Sequence, residues 1–257
     1  HGESDEPARM HRHEVDGFRR DPARGTHDRR IGWLERRVDH QDEPTRPQAL
    51  QGHPTAIRKR LQIRSGALVG MSAKVDPDDR KKTFDAVKKF VGSAQEATSW
   101  EEWKTLVQDH SPTLIVLLPH SMDDPNRVAQ NALEICGVPL AHGRLVRKYV
   151  CGPQCTDGPL VLLLGCTTGL ADTGFQNFVS AFKTHGAAVV IGTLSKVLGR
   201  HAARFVEAFL GELMQQSRAP GTNFGDAVLR TKQRLLAVND PIALTLLAYG
   251  DAGWQLQ

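Results

Sequence analysis

The sequence has no hydrophobic segment of the length that crosses a membrane. Apolar runs such as Leu114–Leu118 and Leu160–Leu164 are far shorter than the roughly 20 residues that a transmembrane helix needs. The first residues also lack the basic-then-apolar pattern of a secretory signal. We therefore expect neither secretion nor a membrane partner.

Cysteine is scarce, since the chain has only Cys136, Cys151, Cys155 and Cys166. Four thiols do not form a disulfide scaffold, and they suit a reducing cytoplasm. Cys151 and Cys155, with His142 upstream, could form half of a zinc site, but no second pair follows at metal-binding spacing. The Gly-Pro between the two thiols is typical of a turn, so no metal is expected.

A large excess of one charge is also lacking. The 257 residues carry 33 Lys and Arg against 29 Asp and Glu. Residues 1–60 hold 13 basic and 11 acidic residues, and residues 61–257 hold 20 and 18, so neither part has a concentrated basic face. Direct binding to nucleic acid is therefore not expected.

Residues 1–60 differ in composition from the rest of the chain. They contain five of the prolines, six of the eleven histidines and few apolar residues. Such a segment cannot bury much surface alone, apart from a short helix around Ile31–Val38 that would pack through Trp33 and Leu34. We expect a charged extension or linker here, which could be the tail of an upstream domain, and a folded domain over residues 61–257.

Within residues 61–257, short apolar strands alternate with helical patterns. This alternation predicts a mostly parallel sheet with helices on both faces. The predicted strands are Ala67–Met71, Thr113–Leu118, Leu160–Leu164, Ala187–Gly192 and Ile242–Tyr249. The predicted helices are Pro77–Gly92, Ser99–His110, Asn126–Glu134, Gly143–Tyr149, Gly174–His185, His201–Gln215 and Asn223–Leu236.

Two reactive residues directly follow predicted strands. His120 comes after the strand that ends at Leu118, and Cys166 comes after the strand that ends at Leu164. If these strands are parallel neighbours, both side chains emerge at the same edge, where a base can take the proton of a thiol. Taken alone, Cys166 could instead be a small buried residue at a strand end.

Four segments resemble the CHAT domain, a family of caspase- and separase-like cysteine peptidases. They read LVLLLGCTTG at residues 160–169, AAVVIGTLSKV at 187–197, the helix of residues 202–213, and LLAYGD at 246–251. In the family, an apolar strand ends in a catalytic His, and about 45 residues later a second strand ends in the catalytic Cys. The separation of 46 residues between His120 and Cys166 fits this pattern.

The resemblance implies a caspase-like three-layer α/β/α sandwich with a mostly parallel sheet. His120 and Cys166 would be catalytic, and the backbone amides of Ser121 and Cys166 would hold the oxyanion, although relatives have Gly where Ser121 stands. It implies no metal or organic cofactor. The expected partners are a protein substrate and an activating domain or protein, in bacterial signalling or in anti-phage and CRISPR-linked defence.

Substrate preference is less constrained. Thr193 and Ser195 follow one strand of the expected active edge, and Asp123 and Asp124 follow another, so we expect all four to flank the cleft. The two aspartates could attract a basic side chain, or they could be ordinary solvated loop residues. Arg-specific relatives commonly have Asp two residues before the Cys, where this chain has Leu164, so strict Arg specificity is in doubt.

Other enzyme classes fit the residues poorly. An amidotransferase elbow needs Gly two residues before the Cys, a cysteine phosphatase needs Arg where Asp172 stands, and the glycines after Leu164 match no nucleotide-binding motif. The remaining alternative is a catalytically inactive CHAT-like module that binds or senses a partner. Because both His120 and Cys166 are present, the sequence favours an active peptidase.

Overall fold

The computed structural model describes residues 60–61, 63, 66–122, 132–165, 178–195, 197–217 and 223–256. The strands are β1 Arg60–Leu61, β2 Ala67–Met71, β3 Ala94–Ala97, β4 Leu114–Leu118, β5 His120–Met122, β6 Ala132–Ile135, β7 Val138–Ala141, β8 Leu160–Leu163, β9 Val189–Thr193, β10 Leu246–Tyr249 and β11 Gln255–Leu256. The helices are α1 Pro77–Val91, α2 Trp100–His110, α3 Phe178–Thr184, α4 Gly199–Gln216, α5 Phe224–Ala237 and α6 Ile242–Thr245.

A six-stranded sheet forms the centre of the molecule, in the order β10-β9-β8-β4-β2-β3. Its five strands from β9 to β3 are parallel, and β10 is antiparallel to β9. Every residue of β4 and β8 is buried, as expected for strands with helices on both sides. The predicted mostly parallel sheet is confirmed.

Alternate residues of the strands contribute to two separate cores. Val116 and Leu162 pack in the cluster that contains α1, α4 and α5, whose largest buried members include Phe205 and Phe209. Their strand neighbours pack on the other face, in a cluster with α2 and α3. The members of this second cluster include Ile115, Leu117, Val161, Leu163, Trp103 and Phe182. Two cores around one sheet make the predicted α/β/α sandwich.

Side-chain caps mark the starts of two helices on opposite faces of the sheet. The Asp76 side chain accepts a hydrogen bond from the Asp78 amide at 2.9 Å, and Pro77 occupies the first turn of α1. Ser99 caps α2 by accepting from the Glu102 amide at 3.2 Å. These local signals define the start of both helices.

Three of the predicted elements are wrong in part. The described end of the predicted helix Asn126–Glu134 is strand β6, which continues into a hairpin with β7. Gly143–Tyr149 forms two short 3-10 turns rather than one helix, and Ile242–Tyr249 is the short helix α6 followed by β10. The apolar patterns of these short segments do not distinguish a helix from a strand. Their conformation therefore depends on tertiary packing.

A second, antiparallel sheet consists of β5, β6 and β7. The turn between β6 and β7 is the pair Cys136-Gly137, with positive φ values of 47° and 85°. A two-residue hairpin turn that matches the right-handed twist of its strands needs a positive φ at both residues. The small sheet begins at His120, directly after β4, so it lies at the carboxyl edge of the large sheet.

The predicted extension over residues 1–60, with its helix near Trp33 and Leu34, lies almost wholly outside the described residues. The boundary at residue 61 therefore stays a prediction. From Arg60 onward, β1 pairs in parallel with β11, and Leu61 and Ile63 are buried in the core. Among the described helices, none is long and apolar enough to cross a membrane.

Substitution of Gly70 tests how tightly the large sheet packs against α2. A Cβ atom at this position would lie 2.8 Å from the ring of Trp103, which is fully buried. We expect Gly70→Ala to lower the free energy of unfolding by about 1–3 kcal/mol, the usual cost of overpacking a core. Gly211→Ala is the matched control, because this helical glycine has open space around it and alanine should stabilise α4 by about 0.5–1 kcal/mol. Urea denaturation measures both, and equal signs would contradict the expectation.

Candidate active site

The two strands that precede the reactive residues are direct neighbours. β4 and β8 pair in parallel, and the Leu164 amide continues the ladder with a 2.8 Å hydrogen bond to the Leu117 carbonyl. Beyond the ladder, Pro119 leads to His120 and Leu164 leads to Gly165. Both strands therefore end at the same edge of the sheet, as the sequence predicted.

A cleft of about 520 Å³ opens at this edge. Half-buried His120 forms part of its wall, together with Leu118, Pro119 and Leu164 from the ends of β4 and β8. The remaining wall comes from the segments that lead into α1 and α4 and from the first turns of these helices. The residues from these segments are Ser72, Lys74, Val75, Asp76, Asp79, Val197, Leu198, Gly199 and Arg200.

Opposite charges are balanced in the cleft. Lys74 and Arg200 contribute two cations, and Asp76 and Asp79 contribute two anions. The Asp76 carboxylate is also engaged in capping α1. The described lining of the cleft therefore has no excess of either charge.

His120 has a buried carboxylate as its cross-strand neighbour. Its partner in the β5–β6 register is Glu134, whose exposed fraction is only 3%. The Glu134 carboxylate accepts hydrogen bonds from the Ser72 hydroxyl and from the Gly137 amide. Ser72 itself is buried at the end of β2, so this interaction joins the hairpin to the large sheet.

Further hydrogen bonds hold the hairpin from two sides. The Cys136 amide donates to the Met71 carbonyl at 3.0 Å, which fastens the turn to β2. On the other side, the indole Nε1 of Trp100 donates to the carbonyls of Val138 at 2.9 Å and Leu133 at 3.3 Å. The strand opposite His120 is therefore connected to both β2 and α2.

A comparison with known families agrees with this architecture. The family model for the CHAT domain matches residues 34–241, a range that includes both strand ends at the cleft. The chain belongs to the CHAT domain family. No curated protein matches the sequence significantly.

Solved structures share the fold of this CHAT domain at low sequence identity. Separase from Saccharomyces cerevisiae, solved with securin, is 14% identical with a TM-score of 0.51, covering 78% of this chain and 13% of separase. RgpB from Porphyromonas gingivalis is 9% identical with a TM-score of 0.55, covering 78% of this chain and 51% of that one. This chain therefore aligns with a small part of separase and with about half of RgpB, and it shares their caspase-like fold.

The structure describes four of the seven predicted site residues, and these four differ in their position relative to the cleft. His120 lies in the cleft wall, and Ser121 is in β5 opposite Leu133. The side chain of Thr193, which was predicted to flank the cleft, is fully buried, and its hydroxyl donates to the Gly165 carbonyl. Ser195 is half-buried in the loop after β9. Three other predicted site residues, Cys166, Asp123 and Asp124, lie outside the described residues.

Sequence reasoning did not identify Ser72 or Glu134 as supports of the CHAT site. A signal was available, because Glu134 interrupts an apolar stretch that ends in Cys136-Gly137, a pair suited to a hairpin turn. An acidic residue between two buried apolar neighbours needs hydrogen-bond donors when it is buried itself. No comparable local signal pointed to Ser72, which reaches Glu134 across 62 residues of sequence.

Proposed function

We propose that the chain is a cysteine endopeptidase that hydrolyses a protein substrate through Cys166 and His120. The carrying observation is the register of β4 and β8, in which Leu114 pairs with Leu160 and Leu117 with Leu163. Each pair is 46 positions apart, which equals the separation of His120 and Cys166 in the sequence. This register supports a shared site for the two residues at the cleft.

The proposed reaction has two halves. The Cys166 thiolate attacks the carbonyl carbon of the scissile peptide bond, and His120 protonates the amine that leaves, so that a thioester remains. His120 then takes a proton from water, whose oxygen attacks the thioester and releases the carboxylic acid and the Cys166 thiolate. The amides of Ser121 and Cys166 are proposed to stabilise the oxyanion in both halves.

The supporting groups keep the proposed base in position. Glu134 and Ser72 connect the strand opposite His120 to β2, and Thr193 holds the Gly165 peptide directly before Cys166. A base and a nucleophile on rigid elements lose little orientational entropy on reaching the reactive geometry. The described residues thus include supports on both sides of the proposed dyad.

We extend the proposal to the setting that the family resemblance implies. The chain would act in the bacterial cytoplasm, in signalling or in anti-phage and CRISPR-linked defence, once an activating domain or protein is engaged. Asp123 and Asp124 are proposed to flank the substrate. A protein partner is in keeping with the separase structure, which was solved as a complex with securin.

A covalent probe tests the proposed nucleophile. A peptidyl acyloxymethyl ketone reacts with a thiolate that is positioned to attack a carbonyl, so we expect it to label Cys166 much faster than the other three thiols. Peptide mass spectrometry locates the label. His120→Ala should slow the labelling, and Cys136→Ser is the control that should leave it unchanged. If Cys166 reacts no faster than the other thiols, the inactive binding module is the better assignment.

A further inference from the structure

Two thiols lie close together at the edge of the sheet opposite the cleft. Cys151 and Cys155 belong to the loop that precedes β8, and their sulfur atoms are 2.9 Å apart. A disulfide bond is about 2.05 Å long, so closing one here needs a movement of less than about 1 Å. The two residues lie at the start of β8, whereas His120 lies at the end of the neighbouring strand β4.

The loop that carries the thiols is held in a compact shape. The Cys155 amide donates to the Gly152 carbonyl at 3.2 Å, and the Gln154 amide donates to the Ser111 hydroxyl at 3.2 Å. Gln108 of α2 donates through Nε2 to the Cys151 carbonyl at 3.1 Å. These bonds fix the backbone on which the two sulfurs approach each other.

The two thiols have different surroundings. Cys151 is buried, and its sulfur lies 3.4 Å from the Gly186 carbonyl oxygen. Cys155 is half-buried and lines an open pocket of about 330 Å³, which also contains His110 and Asp157. A small oxidant can therefore reach Cys155 first, with Cys151 directly behind it.

The same surroundings separate the acidities of the thiols. A hydrogen bond from the Cys151 thiol lowers the pKa of Cys155 to about 7, with further help from the Gly158 amide and the Arg147 cation, against burial and the charge of Asp157. The hydrogen bond to Cys155, followed by burial, raises the pKa of Cys151. Near pH 7, about half of the Cys155 population is therefore thiolate, whereas Cys151 keeps its proton.

We propose that Cys151 and Cys155 are a redox-active dithiol, which hydrogen peroxide oxidises to a disulfide within the chain. The Cys155 thiolate attacks one peroxide oxygen and breaks the O–O bond, so that hydroxide leaves and Cys155 becomes a sulfenic acid. The Cys151 sulfur then attacks the Cys155 sulfur, forming the S–S bond, and the sulfenic oxygen leaves as water with the Cys151 proton. One peroxide is reduced, two thiols are oxidised, and a thiol reductant reverses the bond.

Metal binding is a poorer use of this pair. Among the described ranges, no group of three or more His, Cys, Asp or Glu is arranged to hold a metal ion. Two sulfurs 2.9 Å apart are also too close to occupy two corners of a tetrahedral zinc site with Zn–S bonds of about 2.3 Å. A solvent-accessible thiolate beside a resolving thiol is instead the arrangement of redox-sensing cysteines, and half-buried Cys155 lines an open pocket beside Cys151.

The test is dose-dependent peroxide treatment of the full chain, followed by alkylation of the remaining thiols and peptide mass spectrometry. We expect the peptide with Cys151 and Cys155 to lose two hydrogens and to regain them after reduction. In Cys151→Ser, dimedone should label Cys155 as the sulfenic acid, and Cys155→Ser should form no bridge. Cys136→Ser is the matched control and should form the bridge normally. Two alkylated thiols after oxidation, or a bridge from Cys155 to Cys166, would overturn the proposal.

The pH dependence of the oxidation rate is a second measurement. Two thiols that are close together but have ordinary pKa values would not give the expected profile. The initial rate of Cys155 oxidation by peroxide should reach half of its plateau near pH 7. At pH 7, this rate should exceed the oxidation rate of a thiol with a pKa of about 8.5 by about threefold. The thiolate fraction alone favours Cys155 by about 15-fold, but the lower basicity of the sulfur removes most of this advantage. A midpoint near pH 8.5 would contradict the assignment of Cys155 as the reacting thiolate. Neither readout depends on the proposed peptidase activity.

Discussion

Cys166→Ala is expected to abolish cleavage of the protein substrate, with a fall in kcat of at least about 10⁴-fold. Removing a catalytic nucleophile or its base from a protease typically costs about 10⁶ in kcat, because covalent catalysis is lost while only binding and oxyanion stabilisation remain. His120→Ala should have a similar effect. The measurement is cleavage of the physiological substrate in the presence of the activator.

The double variant separates a catalytic dyad from two independent contributions. When two residues act as a unit, removing the second after the first costs little more, so Cys166→Ala/His120→Ala should resemble either single variant. Thermal unfolding provides the control for folding, because neither change should shift the melting temperature by more than a few degrees. Full activity of Cys166→Ala with the activator present would refute the peptidase and favour the binding module.

Glu134→Ala is expected to have the largest effect on stability among the changes near the cleft. The substitution leaves the buried Ser72 hydroxyl and the Gly137 amide without their acceptor. An unsatisfied buried donor costs about 1–3 kcal/mol. Gly137 is exposed and its amide can bond water, so the loss comes from the buried Ser72 hydroxyl, and we expect the free energy of unfolding to fall by about 1–3 kcal/mol. Urea denaturation measures this loss. Glu134→Gln, which keeps one acceptor oxygen and the side-chain volume, should lose less.

A double-mutant cycle tests the reason for that loss. Removing both partners leaves fewer unsatisfied groups than removing one, so Ser72→Ala with Glu134→Ala should cost less than the sum of the two single changes. Additive losses would show that the Ser72–Glu134 hydrogen bond contributes nothing. As Glu134 is a positioning residue in the proposed mechanism, Glu134→Ala should lower kcat more than it raises KM, and Glu134→Gln should restore part of kcat.

Local sequence patterns predicted strands β2, β4, β8 and β9 of the large sheet, but they missed β3 and extended the last strand over the residues of α6. Leu160–Leu164 is apolar at every position, and this pattern is sufficient to predict a buried central strand, because both of its faces must contact helices. Asp76 and Ser99 specify helix starts through side-chain hydrogen bonds that span only two or three residues. The placement of His120 at a strand end follows from the same local logic.

The tertiary structure alone decided the surroundings of His120. Ala132–Ile135 becomes a strand because its hairpin docks between β2 and α2, a contact that no local pattern encodes. The cleft gathers charges from the starts of α1 and α4, which are more than 100 residues apart in sequence, because each helix follows a parallel strand and begins at that strand's carboxyl end.

The sequence by itself determined the buried strands β2, β4, β8 and β9, the starts of α1 and α2 and which reactive residues follow the strands, because these properties depend on neighbours a few positions away. Only the tertiary structure decided that Glu134 lies opposite His120 and bonds Ser72, and that Thr193 is buried beneath Gly165. It also decided that Cys151 and Cys155 meet at the other edge. Strand register and loop docking control these contacts, and both are set by the balance of long-range packing and hydrogen bonding across the whole sheet.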